Sequence, residues 1–101
     1  MTIGSKVSSD NKTLTITIQG RFDFSSLQLF KDTYENHHNI FQTYYIDLKE
    51  ADYLDSSALG MLLALREYAG GESAKIIIQN ANPDVKKILR ITKLDDLFTV
   101  E

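Results

Sequence analysis

Two adjacent hydroxyls follow a carboxylate in Asp55-Ser56-Ser57, where an apolar strand candidate gives way to an apolar helix candidate, Ala58-Leu59-Gly60-Met61-Leu62-Leu63. A serine so placed can cap the helix, attack an electrophile or carry a phosphate. Attack needs a base, and the only two histidines are His37 and His38. That scarcity argues against a Ser–His hydrolase, and there is no G-x-S-x-G elbow. The histidine pair is also a poor metal site, because sequence neighbours on a helix point about 100° apart. Absence of cysteine excludes disulfides, thiolate metal sites and a thiolate nucleophile. The chain is therefore expected to hold no metal or cofactor and to act by binding, not as an enzyme.

Helical periodicity separates the two serines. At 100° steps, Ala58, Met61, Leu62, Ala64, Leu65, Tyr68 and Ala69 form one broad stripe, the expected core face. Leu59 and Leu63 fall outside it, near Gly60 and Glu67. Extended backward, the wheel puts Ser57 on the core stripe, largely buried, and Ser56 beside Leu59 and Leu63, accessible. A phosphate on Ser56 would add about −1.5 to −2 charges over the free N–H groups of the helix start. It would join Asp52 and Asp55 next to two leucines. A partner burying those leucines would have to desolvate it, so release with the fold intact is the expected consequence.

The elements that must hold this junction are legible around it. Ile3 and Val7 mark a possible first strand, and Ser8-Ser9-Asp10-Asn11 a turn. From Thr13 to Gln19, Leu14, Ile16 and Ile18 alternate with threonines, a strand buried on one side. Gly20-Arg21-Phe22-Asp23 ends it, and Asp23 or Ser25 can cap a helix carrying Leu27, Phe30 and Tyr34 at helical spacing. His37-His38-Asn39 closes that helix. Tyr44 to Leu48 is the next strand; then come the serine junction and its helix, stopped by Gly70-Gly71. Lys75 to Gln79, rich in isoleucine, reads as a buried central strand parallel to the one before. Asn82-Pro83 starts a helix with Val85, Ile88 and Leu89 on one face, and Leu94 to Val100 forms a turn and short strand. The fold class is α/β: a mixed four- to five-stranded sheet with helices on one face.

Size and charge bound the rest. The 101 residues suit a single domain, 1–101, and 43% hydrophobic content suffices for a core. Net charge is −3, from 11 basic and 14 acidic residues, with the basic ones scattered, so nucleic acid is not expected as a partner. No apolar signal core or membrane-length run occurs, so a cytoplasmic protein with no membrane partner is expected.

At the serine junction the chain resembles STAS domains, in particular the single-domain anti-sigma factor antagonists of bacteria. Asp55-Ser56-Ser57-Ala58-Leu59-Gly60 is similar to the D-S-S-G-L-G phosphorylation loop of that family. Gly20-Arg21-Phe22-Asp23 resembles its G-x-[LF]-D segment, and Leu94-Asp95-Asp96-Leu97-Phe98 its closing segment. Ala58 and Lys93 stand where the family most often has glycine. The resemblance implies the STAS fold and a partner switch. An anti-sigma factor that is also a GHKL-type serine kinase would phosphorylate Ser56, and a metal-dependent serine phosphatase would reverse it. The unphosphorylated protein, monomeric when free, would bind the anti-sigma factor. With that resemblance, partner contacts are expected at Asp23, Asp55, Ser57, Leu59, Gly60 and Leu63. The alternative is a structural or scaffold STAS subunit of a larger assembly or transport complex, in which Ser56 is only a cap.

Overall fold

Strict alternation decides the centre of the molecule. In the computed structural model, which describes residues 2–37 and 40–101, Leu14, Ile16 and Ile18 of β2 (Thr13–Phe22) are completely buried while the threonines between them are half-buried. The same rhythm puts Tyr44 and Ile46 of β3 (Thr43–Asp47) and Ile76 and Ile78 of β5 (Ile76–Gln79) into one core. That core also takes Phe30 and Tyr34 from α1 (Leu27–Glu35), Met61, Leu62 and Leu65 from α2 (Ser56–Tyr68), and Val85 and Leu89 from α3 (Pro83–Ile91). All three helices thus cover the same face of the sheet. Ile77 is buried too, but it points the other way, in register with Tyr45 and Thr99, and stands outside that core.

β1 (Thr2–Val7) pairs antiparallel with β2 through a turn in which Asn11 takes φ 62°. Beyond β2 the pairing is parallel: β2 to β3, β3 to β5, and β5 to β6 (Thr99–Val100). The sheet has six strands, where four to five were expected. The added strand is β4 (Ala51–Leu54), whose buried–exposed–exposed–buried pattern hides it from an alternation test. It pairs with the far end of β2, which does not stop at Gly20 but runs on to Phe22. Gly20 adopts φ 83°, open to glycine at little cost, and the register shifts there before Arg21 pairs with Tyr53 and Phe22 with Leu54. One long strand therefore supports β3 and β4 in succession, and the second pairing sets the position of the serine junction.

The helix ends follow the sequence signals. Asn82 Oδ1 accepts from Val85 N at 2.8 Å with Pro83 in the first turn, and Gly70 at φ 121° follows the end of α2. α1 ends at Glu35, so His37 lies beyond it; His38 and Asn39 lie outside the described residues. Lys93 adopts the left-handed conformation at φ 62°, a region that favours glycine.

Candidate functional site

β2 and β4 run side by side and end in the same way. Each closes on a buried apolar residue, Phe22 or Leu54, followed by an aspartate that caps the next helical segment. Asp55 N–H donates to the Phe22 carbonyl at 3.4 Å, tying the two junctions together. Asp23, not Ser25, is the cap of the first: its Oδ1 accepts from Ser25 N at 3.1 Å and from Ser25 Oγ at 2.6 Å, ahead of a 3-10 turn at Phe24–Ser26. Asp55 caps α2, its Oδ1 accepting from Ala58 N at 3.0 Å. The cap role at the serine loop is thus filled by the aspartate.

Ser56 is the first residue of α2, exposed, with no hydrogen bond to its hydroxyl among the described residues. The first N–H groups of a helix lack intrahelical acceptors and carry the positive end of the helix dipole, so this position can receive an anion. Ala58 is fully buried, and it serves the cap through its backbone N–H.

At the first junction Arg21 and Asp23 pair with each other. Arg21 Nε lies 3.5 Å from Asp23 Oδ2, and its guanidinium sits 3.9 Å over the Tyr53 ring. The Asp23 carboxyl is held below its ordinary range chiefly by the Ser25 hydroxyl, against a partial loss of solvation, with help from Ser25 N–H and Arg21. Among the described residues no group of three or more His, Asp or Glu is arranged to hold a metal.

The wheel places three residues differently from the structure. Ser57 is half-buried rather than in the core, and Ala64 is exposed. Both belong to the flank of α2 that faces α1, where Tyr34 and Tyr68 meet edge to face at 5.0 Å. Leu59 falls on the opposite flank and packs against the core, while Leu63 is 37% exposed. The apolar surface beside Ser56 therefore lies mainly toward α1. There Phe24, Leu27, Ser57, Gly60, Met61 and Ala64 line an open groove of about 230 Å³. Phe24 is 68% exposed and Leu27 42%. Leu27 shares helical spacing with Phe30 and Tyr34, yet Gly60 and Ala64 across the groove are too small to cover it. Arg21, Tyr53 and Phe24 are the site residues that periodicity missed; the Phe-Asp-Phe run at Phe22 to Phe24, with two aromatics about a cap, was the available signal.

Residues 5–100 match the family described as Mlab, STAS domain, and the chain belongs to the STAS domain family. A STAS-domain containing protein of Pseudomonas aeruginosa (strain UCBPP-PA14) is 51% identical over 100 residues, 99% of this chain and 99% of its own. Among solved structures, the anti-sigma factor antagonist SpoIIAA in its unphosphorylated form matches with a TM-score of 0.83 at 16% identity, over 99% of this chain and 88% of that one. The Bacillus SpoIIAA in its phosphorylated form matches with 0.75 at 15% identity, over 99% and 91%. A sulfate transporter family protein of Wolinella succinogenes matches with 0.74 at 11% identity, over 90% and 73%. These structural likenesses bear on the fold.

Proposed function

We propose that this protein is an anti-sigma factor antagonist working as a partner switch, controlled by reversible phosphorylation of Ser56. The unphosphorylated form binds an anti-sigma factor that is also a GHKL-type serine kinase; phosphate on Ser56 releases it, and a metal-dependent serine phosphatase resets the switch. The protein itself is not an enzyme. It works in the cytoplasm and is a monomer when free.

The observation that carries this proposal is the division of labour between Asp55 and Ser56. Asp55 holds the cap, so the Ser56 hydroxyl is exposed and has no structural duty at the helix start. A phosphate there leaves the core contacts of Ala58, Met61, Leu62 and Leu65 untouched. It changes the surface shared by Ser57, Gly60 and Leu63, with Asp23 and Asp55 at the rim. Leu59 contributes to that surface only from its partly buried side. The structural likeness to a protein solved in both unphosphorylated and phosphorylated forms supports the proposal.

The second reading is a structural subunit of a larger assembly or transport complex. It draws on the family description and on the fold shared with a transporter family protein. Incubation with GHKL-type kinases from the same genome and ATP, with phosphosite mapping by mass spectrometry, separates the two. One phosphate on Ser56 is expected. Labelling of Ser57 instead, or of neither serine by any of those kinases, contradicts the switch.

A further inference from the structure

The groove between the start of α1 and the flank of α2 is lined by no ionisable residue; the nearest aspartates in the chain are Asp23, just before Phe24, and Asp55, two residues before Ser57. Each of those carboxylates already has internal partners. Asp23 is engaged by Arg21 and by the N–H and hydroxyl of Ser25, and Asp55 by Ala58 N–H. Both also sit at helical N-termini, where backbone N–H groups offset negative charge. Asp23 and Asp55 are thus each answered from within the chain. What remains open is apolar: Phe24 and Leu27 on one wall, Gly60 and Ala64 on the other.

Gly60 sharpens the point. A glycine in mid-helix is unfavourable, and one with a packing reason would show a neighbour where its side chain would go. A Cβ built at Gly60 meets nothing within 4 Å. The space above it is left free by this chain and opens onto the groove. At about 230 Å³ the groove is smaller than the roughly 300–1,000 Å³ of small-molecule pockets, and it suits a side chain better than a whole ligand.

The geometry points to this groove as the seat of an uncharged apolar side chain, of the leucine, isoleucine or methionine kind, presented by the protein partner on a surface without cations facing Ser56. This rests on reading Ser56 as the switch, and it explains why phosphorylation would release the partner. A surface rich in lysine or arginine would gain charge-assisted hydrogen bonds from the phosphate and hold on, whereas an uncharged one would have to strip water from a dianion without compensation.

The probe is the kinase that labels Ser56, held with ADP so that no phosphate is transferred. Gly60→Leu fills the groove from α2, and Phe24→Ala removes its other wall from an exposed position. Each is expected to weaken binding by about tenfold or more, with no fall in melting temperature. Should Gly60→Leu fail to fold, Phe24→Ala decides alone. Raising salt from about 0.05 to about 0.5 M should change the wild-type affinity by less than about threefold, since exposed ion pairs are what salt screens. Unchanged affinity in Phe24→Ala or in folded Gly60→Leu, or a salt-induced loss of about tenfold or more, overturns the inference while labelling of Ser56 keeps the switch. If none of those kinases labels Ser56, the switch fails and the inference falls with it.

Discussion

Ser56 and Asp55 are neighbours in the chain with separable tasks, and the separation is measurable. Asp55→Ala removes the bond to Ala58 N and should cost about 1 kcal/mol of stability, the usual value of an N-cap. Ser56→Ala should stay within about 0.5 kcal/mol of wild type, as exposed substitutions without structural partners do. Chemical denaturation of the two variants checks this; equal losses would make Ser56 a structural residue. The exposure of Ser56 could be read from the sequence because helical phase is reliable a few residues from a strong apolar stripe. The half-burial of Ser57 could not. At the first turn the decisive fact is what faces it, and Phe24 and Leu27 arrive from a separate segment through a 3-10 turn. The exposure of Leu27 has the same origin, since a wheel assigns a direction but not the size of the residue opposite.

At the level of elements, the sequence revealed those that carry a period or a cap and concealed those that carry neither. The alternation of β2, the isoleucines of β5 and the Asn82-Pro83 start of α3 all appear where expected. β4 was hidden because its four residues have no alternation, and the end of β2 because Gly20, usually a terminator, here marks a shift of register inside a strand. The turn after α3 makes a further test. Lys93 occupies the left-handed conformation at φ 62°, which costs a residue with a Cβ roughly 1 kcal/mol or more. Lys93→Gly should therefore raise stability by about 1 kcal/mol, less the entropy glycine regains on unfolding, without altering the labelling of Ser56 that the proposed switch requires. A loss of stability would mean that the lysine side chain contributes contacts of its own. Its position in the family's closing segment was legible; its conformation was not, because lysine hides a turn that glycine would have advertised.

At the level of the whole molecule, one sheet face carries the three helices and the core, and the parallel pair β2–β4 delivers two capped junctions beside each other. Among the described residues no helix is long and apolar enough to cross a membrane. With a net charge of −3, a phosphate changes the total by about half, but its effect is local, because charges beyond roughly 10 Å are screened at physiological salt. The fold should accordingly be indifferent to the modification while the groove and its rim are not. The most direct test is the calorimetric affinity of the ADP-bound kinase for the protein before and after stoichiometric phosphorylation of Ser56. A loss of about tenfold or more, which is at least about 1.4 kcal/mol, is the result a charge-driven switch requires. Equal affinities of the two forms would contradict it.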